Sequence, residues 1–298
     1  MKRLKEKSIV KEKRGSKFIQ RWAWIFGTPA IITQLIFGWF PISVAFVLAF
    51  QKYQFRTSPF VGLYNFKLMI NNPIATLAFR NTLYYAALSI GLTFLLPILI
   101  AILLMEMKKN VIRVMMILWF IPVASMAGIV LWKYFYNVQY GLFNGILTSL
   151  GFPTSRWLND PHLAMFCLVL PGLIMFGPGL VYIATIQSIP AELYESAELE
   201  GASVWQKIWH ITLPRMRPII AMMLILAVIG NLQIFEQPYV MTKGGPNMVT
   251  YSVVMYVFDL AFSGMKLGRA TALAVMFFFV IMALIIIQRR YFRENIDI

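Results

Sequence analysis

Residues 270–288 read ATALAVMFFFVIMALIIIQ, nineteen positions without an Asp, Glu, Lys or Arg, and Arg289 and Arg290 close the run. A helix of that length rises about 28 Å, close to the ~30 Å hydrocarbon thickness of a bilayer. Lipid offers backbone groups no hydrogen-bond partner, so a spanning segment must satisfy them internally, as an α-helix does. A spanning β-barrel would instead show alternating segments of about ten residues. Toward the N-terminus, five more windows are nearly free of charge: 22–51, 81–105, 114–132, 162–191 and 218–235. The pattern predicts an all-α polytopic membrane protein with about six transmembrane helices. Two other uncharged stretches, 134–155 and 244–258, are broken by Gly, Pro and Asn, and read as extramembrane loops with short amphipathic helices.

Composition agrees with this class. Of 298 residues, 59% are hydrophobic and 13% are charged, against about 25% charged in soluble domains. The net charge of +15 would suggest nucleic acid in a soluble protein. Here nine Lys or Arg lie in residues 1–21, which read as a cytoplasmic tail facing anionic lipid headgroups. Residues 22–298 then form one transmembrane domain. Six spans place both termini on one side. With the tail inside, the inner segments hold 18 Lys or Arg and the outer ones 9, so the N- and C-termini are expected in the cytoplasm. The single cysteine, Cys167, and two distant histidines, His162 and His210, form no metal motif. Pro171-Gly172 and Gly177-Pro178-Gly179 interrupt the fourth window, as bends from packing or as the shape of a substrate path.

The segment 188–218, SIPAELYESAELEGASVWQKIWHITLPRMRP, lies between the fourth and fifth windows. Pro190 suits the first turn of a helix. Gly201 is placed to end that helix in a left-handed conformation. Ser203 and Gln206 have the spacing of a capping box, and Pro214 and Pro218 are expected to end the second helix before the next span. Glu192, Glu195 and Glu198 share a helical face, and Glu200 adds a fourth acid. The expected object is an acidic two-helix hairpin on the cytoplasmic side, either a solvated face or a docking element for a basic groove.

Glu195-Ser196-Ala197, Glu200-Gly201-Ala202 and Ile211-Thr212-Leu213-Pro214 resemble the EAA motif of permease subunits of binding-protein-dependent ABC importers. The motif segment is 190–214. Ser196 replaces the usual second Ala, Glu200 the usual Asp, and Ile208 a common Phe. Thr242-Lys243-Gly244-Gly245-Pro246, Leu267-Gly268-Arg269-Ala270 and Trp157-Leu158-Asn159-Asp160-Pro161 resemble stretches of the carbohydrate-uptake branch. The resemblance implies a sugar or oligosaccharide permease in a bacterial inner membrane. It further implies a second homologous permease, two cytoplasmic ATPase subunits and an extracytoplasmic solute-binding protein as partners. It also implies that the EAA helices sit in a groove of the ATPase, with Glu195 in polar contact, Gly201 turning the chain, and Ala197 and Ala202 packing closely.

No P-loop Gly-x-x-x-x-Gly-Lys-Ser/Thr occurs, so this chain is expected to bind no cofactor, with ATP and Mg carried by the ATPase. Near the end of the fifth window, Asn231, Gln233, Glu236 and Gln237 are candidates for the substrate path. Tyr182, Phe235 and Tyr239 could supply faces for sugar rings. Interhelical hydrogen bonding and interfacial anchoring are their other possible roles. Alternatives to the sugar reading are a permease for glycerol phosphate or another polar solute, an ion-driven secondary transporter, and a membrane enzyme. The last two need intramembrane carboxylate or His constellations that the sequence does not offer.

Overall fold

The computed structural model describes residues 22–53, 57–105, 107, 109–120, 126–174 and 179–293. The basic tail 1–21, Lys108 and Gly177-Pro178 lie outside the described residues. The described residues are mainly helical and contain one isolated antiparallel bridge, Gln51 to Phe60. Among the described residues, four helices are long and apolar enough to cross a membrane: α1 (Trp22–Ala49), α3 (Pro73–Met105), the rod Val204–Met241, and the last helix, Leu267–Phe292. The third and fourth windows each contain two helical pieces. They are α4 (Lys109–Phe120) with α5 (Met126–Phe135), and α7 (Ala164–Ile174) with α8 (Gly179–Gln187). Short helices α2 (Tyr64–Ile70) and α6 (Leu142–Ser149) lie between.

The second window begins too late in the sequence reading. Helix α3 starts at Pro73, where Asn72 Oδ1 accepts from the N–H groups of Ile74 and Ala75 at 2.8 and 3.2 Å. Arg80 cut the uncharged window but does not interrupt the helix, because backbone bonding is indifferent to a charge pointing away. A break falls at Phe94. Pro97 explains it, since its missing N–H leaves the Thr93 carbonyl without its helical partner.

The prolines near the fifth window behave differently from expectation. Pro214 and Pro218 do not stop the preceding helix. α9 (Ala191–Leu199) is followed by α10 (Val204–Lys207), which passes through a π turn, Ile208–Thr212, into α11 (Leu213–Leu232). Pro214 cannot bond the carbonyl of His210, four residues earlier. The wider π turn holds that residue and absorbs the lost bond. Helix α1 repeats the arrangement, with a π turn at Leu35–Trp39 two residues before Pro41.

Helix α3 is the centre of the packing. It meets α7 along its first half and α8 along its second, and α11 lies against the first half and against α8. The stretch 244–258, expected as a loop with short amphipathic helices, contributes to the largest core. Helix α13 (Val253–Ser263) buries Val253, Met255 and Tyr256 against the last helix and α3. Its apolar content is too short to span but is covered by neighbouring helices, which makes it an inward-packed piece and not an amphipathic surface one. The preceding α12 (Glu236–Met241) packs on α5. The final α14 (Leu267–Arg293) lies along α1 and α2. At its start, a Cβ on Gly268 would lie 2.1 Å from the Gln51 carbonyl oxygen and 3.0 Å from Asn65 Nδ2. Asn65 in turn donates to the carbonyls of Ala49 and Gln51. Glycine is required there by close approach of two chain segments.

Candidate functional site

The hairpin 191–212 has the local geometry its residues dictate. Pro190 is the N-cap, one position earlier than the first helical turn expected for it. Gly201 takes φ +77°. The N–H of Ala202 bonds the Ala197 carbonyl at 2.9 Å and that of Gly201 bonds Glu198 at 3.0 Å, the paired closure of a Schellman turn. Two residues on, Ser203 and Gln206 form the reciprocal capping box. Glu192, Glu195, Ser196, Glu198 and Glu200 are exposed, and Ala197 and Ala202 are half-buried. Leu199 at the tip is 91% exposed. Pro214, at the foot of α11, is half-buried. Four carboxylates, a tight left-handed turn and an exposed leucine therefore project together, a shape suited to insertion into a cationic, apolar-floored groove.

At the other end of α11, the candidates named for the substrate path separate. Asn231 is half-buried and donates to the Ala227 carbonyl at 2.8 Å in its own helix. Gln233 is exposed and borders a groove of about 510 Å³ that is otherwise apolar, between α11, α13 and α14. Glu236 opens α12, exposed. Gln237 Oε1 accepts from Tyr85 Oη at 2.9 Å. Tyr239 stacks on Phe235 at 4.9 Å and 21°. Phe258 joins both rings and Phe262 continues the strip. Tyr182 is elsewhere. It is fully buried with Ile98, Ala101, Ile183 and Met216, on the hairpin's half of the molecule, and its hydroxyl has no partner among the described residues.

The loop after α12 is held by residues the sequence reading passed over. Asn81 Nδ2 donates to the carbonyls of Met248 and Tyr251, and Thr82 Oγ1 accepts from the Val253 N–H. Thr250 Oγ1 donates to the Gly245 carbonyl and meets Thr242 Oγ1 at 2.7 Å. Gly244 has φ +85°, and a Cβ there would strike the Tyr251 ring. Tyr251 bonds the Asp259 carboxylate. Burial, then that bond, raises its phenol above its ordinary pKa. Lys133 Nζ donates to the Val240 carbonyl at 2.8 Å, tying α5 to α12. A signal for these residues existed: Asn81, Thr82, Tyr85 and Ser89 form a buried polar stripe at helical spacing inside an apolar span. The Trp157 stretch is likewise structural, its indole donating to the buried Asn144 at 2.8 Å. Among the described residues, no group of three or more His, Cys, Asp or Glu is placed to hold a metal.

The family model "Binding-protein-dependent transport system inner membrane component" matches residues 93–295. The chain is 31% identical to the arabinooligosaccharides transport system permease protein AraP of Bacillus subtilis (strain 168), over 88% of this chain and 86% of that protein. It is 30% identical to the trehalose/maltose transport system permease protein MalF of Thermococcus litoralis, over 90% of this chain and 92% of that one. Its fold matches a chain of a bacterial ABC transporter involved in import of the acidic polysaccharide alginate. The TM-score is 0.79 at 26% identity, covering 94% of this chain and 99% of that one.

Proposed function

Because the chain belongs to the family of binding-protein-dependent transport system inner membrane components, we propose that it is one membrane subunit of an ATP-driven importer of a sugar or oligosaccharide. An extracytoplasmic binding protein delivers the substrate. A second permease completes the channel, and two ATPase subunits on the cytoplasmic side bind ATP and Mg. The substrates of its relatives support the sugar class. Arabinooligosaccharides, trehalose/maltose and an alginate pentasaccharide on a periplasmic protein all belong to it.

The observation that carries the reading is the hairpin. An exposed acidic helix, a left-handed glycine and a capped second helix run without a break into a spanning rod. Glu195 and Glu200 meet cations of the ATPase, Ser196, Ala197 and Ala202 keep the contact face small, and Gly201 makes the turn. Pro214 marks where the hairpin joins α11. The hairpin side is the cytoplasm, which puts both termini there. Closure of the ATPase pair then tilts the permease helices and exposes the path alternately to each side. At the far end, Asn231, Gln233, Glu236 and Gln237 supply hydroxyl-binding groups and Tyr239 a ring face. Tyr182, sealed in the inner cluster, serves packing in this state.

The test is reconstitution with ATPase subunits, a second permease and a solute-binding protein from the same organism. ATP hydrolysis should rise with substrate-loaded binding protein, and Glu195→Arg should abolish ATPase copurification. Uptake that persists without ATPase subunits and collapses with an uncoupler would assign the ion-driven class instead.

A further inference from the structure

The hairpin has almost no apolar core of its own. Between 191 and 212 only Ile208 and Thr212 are buried, while Trp205 and Trp209 are 67% and 64% exposed. The Gly201 turn is also open, with no heavy atom within 4 Å of where a Cβ would stand. Packing therefore does little to hold α9 against the chain that follows it. Polar crosslinks hold it, among them an ion pair near the tip and a hydroxyl pair at the base. Near the tip, Lys207 Nζ donates to Glu198 Oε1 at 2.7 Å, with the glutamate side chain 62% exposed. Solvent and salt weaken such a pair. At the base, Tyr194 Oη lies 2.9 Å from Thr212 Oγ1, and Thr212 is 4% exposed.

Either hydroxyl can donate in the base contact, and Thr212 Oγ1 also lies 3.5 Å from the Lys207 carbonyl, five residues earlier. Thr212 is moreover the last residue of the π turn. The residue that a π turn adds rotates the following helix by about 100° relative to an uninterrupted α-helix. One hydroxyl thus both closes the clamp and sits in the turn that sets the heading of α11. Beyond it, Ile208 and Met216 pack with Ile98, Ala101 and Ile183, so the foot of α11 is fixed to α3 and α8.

We propose that Tyr194 and Thr212 are coupling-positioning residues that make α9 and the foot of α11 one rigid body. A displacement received on the Glu195 face then reaches α11 directly, without being lost in the open Gly201 turn. This rests on the reading that the hairpin receives the motion of the ATPase.

The test uses the assembled transporter with spin labels at Ala191→Cys and Arg217→Cys, both exposed positions. Cys167, 1% exposed, stays unlabelled. The label distance is measured at rest and after trapping with ATP and vanadate. In the labelled parent and in Thr212→Ser, one narrow distance should persist unchanged in both states. In Thr212→Val and in Tyr194→Phe, the distribution should broaden at rest and shift on trapping while the ATPases still copurify. The double variant should broaden no further, because each single change removes the same bond. Should Thr212→Val fail to accumulate, Tyr194→Phe carries the same comparison. A parent distance that moves on trapping, or variants indistinguishable from the parent, overturns the clamp. If Glu195→Arg keeps its ATPases while the clamp variants still broaden at rest, the docking reading fails and the rigid clamp stands.

Discussion

Tyr85 and Gln237, 152 positions apart, are joined by a hydrogen bond of 2.9 Å from the tyrosine hydroxyl to the amide oxygen. The bond fixes the first turn of α12 to the middle of α3. It sets the orientation of a side chain beside Glu236 and the Phe235–Tyr239 stack. Tyr85→Phe removes the donor and leaves the amide oxygen to find water or remain unpaired. A net loss of about 1 kcal/mol is expected, read as a lower midpoint of thermal unfolding in detergent. Gln237→Ala should lose a similar amount, and the double variant less than the sum.

Asn81 holds two carbonyls of the loop at once. Asn81→Leu keeps the volume but leaves both acceptors without that donor, at a cost of roughly 2 kcal/mol or more. Amide hydrogen exchange should rise across residues 242–253 and stay unchanged in the hairpin. Uniform loss of protection over the whole chain would contradict a local latch.

Gly268 and Gly91 offer a paired test of glycine in spanning helices. A Cβ at Gly268 would overlap the Gln51 carbonyl, whereas one at Gly91 meets nothing within 4 Å. Gly268→Ala should part α14 from the end of α1 and destabilise by more than ~2 kcal/mol. Gly91→Ala should be neutral or stabilise by up to about 1 kcal/mol through helix propensity. Thermal stability of the two purified variants, measured side by side, decides it.

Gly201 differs again, since its surroundings are open but its φ is +77°. The cost of a side chain is therefore conformational. Gly201→Val should cost roughly 1–2 kcal/mol of hairpin stability and Gly201→Asn less. ATPase copurification from detergent should follow that order. Equal loss in both would point to a contact with the partner and not to backbone strain.

How much of this was legible in the sequence follows from how local each cause is. The Gly201 turn and the Ser203–Gln206 box are made by residues within about five positions of each other, so their spacing reports them directly. The prolines misled because their effect depends on what the preceding turn does. The π turns before Pro41 and Pro214 accept a break that α geometry would not. The start of α3 was missed because a charge criterion treats Arg80 as an end, while the backbone continues to the Asn72 cap. The packing of the 253–263 helix was not legible because its burial comes from neighbouring helices, which length and polarity along one stretch do not report.

The sequence by itself determined that the chain spans a membrane in long helices and carries an acidic, capped hairpin. Both follow from burial and backbone bonding along one stretch. Only the tertiary structure decided which polar groups meet: Asn81 with the 248–251 carbonyls, Tyr85 with Gln237, Tyr194 with Thr212, and Tyr182 with none of the candidates named beside it. Those pairings depend on how separate rods cross and rotate. That is set by side-chain volumes at contacts such as Ala78, Ala86 and Gly268, and spacing along one helix does not encode the face its neighbour presents.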